Sequence, residues 1–204
     1  MPKRATADTG IDALTHAMEA YVSKKANAYS DTQAIEAMRL IGPNLRRVYH
    51  NGNDLEAREK MMLGATLAGI AFSNASVALV HGMSRPIGAI YHVPHGLSNA
   101  MLLPAVSEYS IPDAKKRYAD CARAIGVSMS GDTDDVANKK LLSELIAINK
   151  ELNVPSPSEF GIDKTDFMQN LEVMAEQAIA SGSPGNNPRV PESKEIMEIY
   201  KLLW

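Results

Sequence analysis

Apolar positions recur every three to four residues along most of the chain, the spacing of one buried helix face. Ile11, Leu14, Ala17, Met18 and Tyr21 follow it. They predict a helix opened by Asp8 or Thr9, after an extended lead-in over residues 1–7. Ala34, Ile35, Ala37, Met38 and Ile41 predict a second helix, capped at Ser30-Asp31. Gly42-Pro43 is expected to kink or end it, with helix resuming through Arg46, Arg47 and Tyr49. Asn51-Gly52-Asn53 reads as a turn.

Residues 54–75 predict a long helix of two characters. Its first half carries Glu56, Arg58, Glu59 and Lys60; its second half, MMLGATLAGIAF, carries no charge. Gly64, Ala65, Ala68, Gly69 and Ala71 there suggest close packing at the protein centre, with a water-facing side that fades along the helix. A buried helix follows over 77–90, with Pro86 as a kink or an end, then a tight loop at Val93-Pro94-His95-Gly96. Further helices are predicted over 97–109 (bent at Pro104), 112–126, 134–152, 163–180 and 191–203. Loops are expected at 128–133, at Pro155 and Pro157, and at 181–188. No convincing strand, repeat or linker interrupts this pattern. The expectation is one all-α domain over residues 1–204, a helical bundle.

Composition narrows the classes of function. Apolar residues make up 45% of the chain, enough for a core rather than a disordered segment. The net charge of −3 lacks the basic excess of a nucleic-acid binder, so no nucleic-acid partner is expected. No apolar run reaches the roughly 18 residues of a membrane span, and MPKRATADTG is no signal peptide. The single cysteine, Cys121, excludes an internal disulfide, suits a reducing compartment, and reads as packed rather than reactive. A cytoplasmic protein is expected.

The chemistry concentrates in two stretches. Asp12 and His16 are four residues apart, hence on one helix face. Residues 81–95, HGMSRPIGAIYHVPH, hold three of the five histidines. Imidazole and carboxylate together suit Zn²⁺ or Fe²⁺. An Asp12/His16 clamp, His81 from a second helix and His95 from the loop after it can meet on one ion. Gly82 and Gly96 keep the backbone uncrowded beside two of these histidines. The bland alternative is a set of satisfied core or surface histidines. His92 is adjacent and can line a pocket, His50 reads as exposed, Asp8 as a cap, and Arg46 and Arg47 as a solvated face.

The segments Asp12-Ala-Leu-Thr-His16-Ala-Met-Glu-Ala-Tyr, His81-Gly-Met-Ser-Arg-Pro-Ile-Gly-Ala and Val-Pro-His95-Gly-Leu-Ser-Asn-Ala are similar to the iron-containing (group III) alcohol dehydrogenases. The stretch from Ser181 to Arg189 resembles that family's closing loop, so the resemblance covers nearly the whole chain. It implies the all-helical, dehydroquinate synthase-like C-terminal domain of that family. It implies metal ligation by Asp12, His16, His81 and His95, with Fe²⁺ or alternatively Zn²⁺, and a substrate channel lined by Phe72. It further implies a small alcohol or aldehyde as substrate and hydride exchange with NAD(P). The metal would polarise the substrate oxygen.

Two departures stand out. Arg85 occupies a position where some members carry a histidine that relays a proton. An arginine is permanently charged and a poor relay. As a candidate catalytic residue, it suits instead a carboxylate or phosphate, or an acidic partner. The family's N-terminal nucleotide-binding domain has no counterpart here, since no strand-rich half or glycine-rich phosphate loop is present and no cofactor-binding residue is identified. The expectation is a domain that is inactive alone and pairs with a missing N-terminal domain, or forms a homodimer as the family commonly does. Two rivals stand beside it: a metal-dependent hydrolase with Glu19 as base, and a non-catalytic interaction module.

Overall fold

The computed structural model describes residues 1–204. It contains eleven α-helices and no strand: α1 (Lys3–Val22), α2 (Ala28–His50), α3 (Leu55–Ala75), α4 (Leu79–Tyr91), α5 (His95–Ser110), α6 (Lys115–Ala124), α7 (Asp134–Glu151), α8 (Pro157–Phe160), α9 (Lys164–Gln169), α10 (Leu171–Ala180) and α11 (Ser193–Lys201). A single hydrophobic cluster of 49 buried residues runs through all of them but α8.

α1 is the central helix. It packs on α2, α3 and α5, and almost every residue from Thr6 to Val22 is buried. It begins at Lys3, so residues 1–7 are not an extended lead-in. Pro2 supplies the pre-set extended geometry of a cap (φ −60°, ψ 151°), and the Arg4 guanidinium holds the first turn to the Leu152 and Asn153 carbonyls. Those anchors lie some 150 residues away, which no local pattern records. Asp8, expected as a cap, sits inside the helix, buried, and accepts a hydrogen bond from Arg4.

α2 begins three residues earlier than its apolar pattern suggests. Asn27 forms a capping box with Ser30, accepting from the Ser30 amide while the Ser30 hydroxyl accepts from the Asn27 amide. The helix runs on past Pro43, because Leu45, Val48 and Tyr49 beyond it are buried. That burial outweighs the roughly 3 kcal/mol an interior proline costs. Arg46 is no freely solvated residue: it joins Glu144 and Glu151 of α7.

The boundaries of α3 match expectation, with Asp54 accepting from the Ala57 amide as cap. Its second half does not vanish into the core. Only the stripe Gly64, Ala68, Ala71 and Ala75 is buried, while Met62 is 74% and Leu63 51% exposed. Small residues at helical spacing pack one face, flanked by the partly buried Met61, Leu67 and Phe72, and Met62 and Leu63 lie on the other.

Later elements break where side chains offer the backbone an alternative. The helix expected over 163–180 divides at Asn170, whose amide bonds the Asp166 carbonyl and the Tyr91 hydroxyl. A 3₁₀ turn, Ile111–Asp113, precedes α6, and a second, Ser183–Asn186, lies in the expected loop at 181–188. Pro86 and Pro104 lie within α4 and α5 without ending them. Cys121 is fully buried, and burial pushes its thiol above the ordinary range, consistent with a packed residue. No single helix is long and apolar enough to cross a membrane. α3 and α4 pass that test only as a pair, bent by 104° at the break between them.

Candidate metal centre

Three helices bring the chemistry together. α1 carries Asp12, His16 and Glu19 on one face, at spacings of four and three residues. α4 presents His81 in its first turn, and α5 opens on His95. Asp12 Oδ1 lies 3.5 Å from His81 Nε2 and 3.7 Å from His95 Nε2. One ligand atom from each of these three residues lies within 4.8 Å of the others. His16 adjoins this group rather than sharing its focus. Its Nδ1–H donates to the Asp12 carbonyl at 3.0 Å and lies 3.6 Å from Asp12 Oδ1. Its ring stacks on Phe72 at 4.4 Å and tilts against His81 at 4.2 Å.

Glu19 sets the orientation of His81. The Glu19 carboxylate accepts from the Ala78 amide (3.0 Å), the Val80 amide (2.6 Å) and His81 Nδ1–H (2.6 Å). It thus caps the amino end of α4, where negative charge is favoured, and keeps the imidazole proton on Nδ1. In the neutral ring the lone pair a metal requires is then on Nε2, the atom facing Asp12, which a cation would reach by displacing the proton there. Both side chains are buried, His81 at 3% and Glu19 at 5% exposure, whereas His95 is half exposed at the mouth.

Asn99, one turn after His95 on α5, marks the focus. Its Nδ2 donates to Asp12 Oδ1 at 2.6 Å and stands 3.1 Å from His81 Nε2 and 3.2 Å from His95 Nε2. One electropositive group therefore touches all three donors at once. The Asn99 Oδ1 atom is buried without a partner, so the cluster is not electrostatically complete by itself.

The titration behaviour follows from this layout. Burial, reinforced by the charge of His81, pushes His16 down to about 4. Burial also lowers His95, with the nearby charges of His81 and Arg85 acting in the same direction. Burial opposes the charged form of His81 as well, but Glu19 and Asp12 outweigh it and push that group up to about 9. Asp12 stays below the ordinary carboxylate range, its burial offset by His81, His16 and Asn99. The carboxylates of Asp12 and Glu19 are the groups that favour positive charge on His81, whereas burial disfavours it on His16 and His95.

The other candidates fall outside the cluster. Arg85 is exposed, one turn beyond His81, and donates to the Ser183 hydroxyl at 3.2 Å. His92 is exposed, ends α4 in the left-handed conformation (φ 55°), and makes no side-chain bond to the four. His50 pairs with Glu151 at 2.7 Å on the surface. Asn99 and the orienting role of Glu19 escaped the sequence reading, although helical spacing placed Asn99 over His95 and Glu19 beside His16.

Gly96 fixes the approach of α5 to α1. A Cβ there would stand 2.4 Å from the Asp8 carbonyl oxygen and 3.3 Å from Asp12 Cβ. Gly96→Ala is expected to force the two helices apart and to lower stability by about 1–3 kcal/mol. Urea unfolding of the two proteins side by side checks this, and an unchanged midpoint would show that the contact is loose.

Comparison with known proteins decides the family. Residues 6–204 match the model described as Fe-containing alcohol dehydrogenase family, C-terminal. The chain belongs to this family. It is 38% identical to the 1,3-propanediol dehydrogenase of Klebsiella pneumoniae over 98% of its own length and 51% of that protein's. It is 36% identical to the NADPH-dependent butanol dehydrogenase of Clostridium saccharobutylicum over 100% and 52%. Among solved structures, a 1,3-propanediol oxidoreductase superposes with a TM-score of 0.93 at 38% identity, covering 100% of this chain and 53% of that one. The chain thus spans about half the length of these relatives and corresponds to their helical C-terminal domain. Membership implies a metal and, in the full-length enzyme, a nicotinamide cofactor. One carboxylate oxygen and imidazole nitrogens around a common point suit that metal.

Proposed function

We propose that this chain supplies the metal centre and much of the substrate pocket of an NAD(P)-dependent alcohol dehydrogenase acting on a small alcohol or aldehyde. The observation that carries the reading is the convergence of Asp12, His81 and His95 on the point now touched by the Asn99 amide. Asp12, His81 and His95 would hold the ion, with His16 as the fourth ligand beside them. Bound Fe²⁺, or alternatively Zn²⁺, supplies Lewis acidity toward the substrate oxygen.

The chain's own residues do the rest. Glu19 retains the proton on His81 Nδ1 and so leaves Nε2 free to ligate. Phe72 and His16, stacked on one another, form an apolar wall that limits water beside the reacting carbon. His95, half exposed, lies where substrate enters. Hydride would leave the alcohol carbon for a nicotinamide held by an N-terminal domain, since these eleven helices include no glycine-rich phosphate loop. The chain alone would then be inactive. A hydrolase reading is weaker on one specific ground: Glu19, its only candidate base, already accepts three hydrogen bonds.

Anaerobic loading with Fe²⁺ or Zn²⁺ tests the reading. One tightly held ion per chain is expected, with NAD(P)-dependent alcohol oxidation only after an N-terminal domain from a related enzyme is supplied. A chain that holds no ion, or that turns over unaided, would require a different function.

A further inference from the structure

Arg85 is anomalous among the arginines. Every other arginine except Arg58 makes an ion pair with a carboxylate. Arg58 lies on α3 fourteen residues before Phe72, about 20 Å along the helix at 1.5 Å per residue. Arg85 is therefore the one unpaired guanidinium near the histidine cluster. It stands four residues after His81 on α4, hence on the same face as that ligand, one turn further along.

Its neighbour is a built feature rather than a loose loop. Ser183 is only 6% exposed and begins the 3₁₀ turn Ser183–Asn186. Pro184 of that turn lies on α4 so closely that a Cβ at Gly82 would meet its ring at 2.7 Å. Asn186 ties the same turn to the Ser76 hydroxyl (3.1 Å) and the Val77 carbonyl (3.0 Å), just before α4 begins. Ser183 thus keeps its hydroxyl against Arg85 at 3.2 Å. A fixed hydroxyl and an unpaired, accessible guanidinium form a donor set with no acceptor of its own charge. The guanidinium's planar fork matches carboxylate and phosphate oxygens.

We propose that Arg85 and Ser183 form an oxyanion subsite beside the metal centre, so that the substrate is an alcohol or aldehyde that carries a carboxylate or phosphate group. This rests on the alcohol dehydrogenase reading for the reactive end of the substrate. The metal centre takes the hydroxyl or carbonyl oxygen; Arg85 and Ser183 take the charged end. Arg85 is a specificity residue here, and the chain gains discrimination against neutral alcohols of the same length.

Ligand-observed NMR on the Zn²⁺-loaded chain tests the proposal with matched probes: 3-hydroxypropanoate against 1,3-propanediol, and glycerol 3-phosphate against glycerol. At least one anionic probe is expected to bind about tenfold or more tightly than its neutral counterpart, as a charge-assisted hydrogen bond allows. Arg85→Gln should abolish that preference, and Arg85→Lys should retain part of it, with zinc content unchanged in both. Which anion prevails distinguishes carboxylate from phosphate. Equal binding of anionic and neutral probes would overturn the proposal. So would a preference that survives Arg85→Gln, since the carboxylate or phosphate would then be sitting on the metal. An Arg85-dependent preference in a chain that holds no zinc would instead remove the metal reading and leave the subsite standing.

Discussion

His81→Ala is expected to eliminate stoichiometric metal binding. Loss of an outer hydrogen-bond partner alone lowers metal affinity by about 10–100-fold, and loss of a ligand should exceed that. His81 is the most constrained donor of the set. It is 3% exposed, its Nδ1 is held by Glu19 at 2.6 Å, and its Nε2 faces Asp12 Oδ1 at 3.5 Å. His16 is held by its own helix carbonyl, and His92 is exposed at the end of α4 with no side-chain bond to the cluster. His95→Ala is the companion variant. Its side chain is 51% exposed and it lies at the surface end of the site, so its removal leaves the core intact. Metal content after loading and gel filtration is the measurement, with circular dichroism as the fold control. A folded His81→Ala or His95→Ala chain that still holds one tight ion would refute the ligand assignment.

Glu19→Ala is expected to reduce folding stability by about 3–5 kcal/mol, the usual penalty for removing one partner from a buried charged pair. The change leaves the Ala78 and Val80 amides and His81 Nδ1–H without an acceptor in the interior. Each orphaned donor costs about 1–3 kcal/mol, and the amino end of α4 loses its only anionic cap. Against a typical total of about 5–15 kcal/mol, this is a large fraction. Glu19→Gln separates the structural from the orienting role. Its amide retains the shape but turns one acceptor into a donor: an NH₂ in place of Oε1 displaces the Val80 amide alone, whereas one in place of Oε2 displaces the Ala78 amide and the His81 ring together. If the imidazole yields, its proton moves to Nε2 and closes the lone pair toward Asp12. Metal affinity then falls by about 10–100-fold in a protein that still folds. Urea melts report the first effect. Nitrogen NMR of the His81 ring and zinc titration report the second. Wild-type affinity with the Nδ1–H tautomer retained in Glu19→Gln would show that Glu19 acts only as a helix cap.

Much of the site was legible because helical periodicity is a short-range rule. The four-residue spacing of Asp12 and His16 states that they share a face, and the motifs around His81 and His95 point to a second helix and the loop after it, where the structure instead begins α5 at His95. The same rule places Glu19 next to His16, yet spacing alone assigns no partner, and a free carboxylate there reads as a base. Its true partners lie about 60 residues away, at the start of α4. Asn99 is not legible in the sequence, because a lone asparagine inside an apolar helix carries no distinctive pattern. Helix starts are hidden for a related reason: Pro2 and Asn27 lie outside the apolar repeat that defines each helix, and the anchors that hold the first turn of α1 come from Leu152 and Asn153, just after α7.

The amino-acid order by itself determined the all-helical class, the extent of most helices, and which residues of each helix share a face. Those properties depend on neighbours three or four positions apart. Tertiary structure alone decided which donors converge. It turned His16 toward Phe72, gave His81 its tautomer through Glu19, exposed Met62 and Leu63 on α3, and left Arg85 without an acidic partner. These outcomes depend on how separate helices cross, and the crossing is set by close contacts such as Gly96 on the backbone of α1 and Pro184 on Gly82. No periodicity within one helix records the surface of the next.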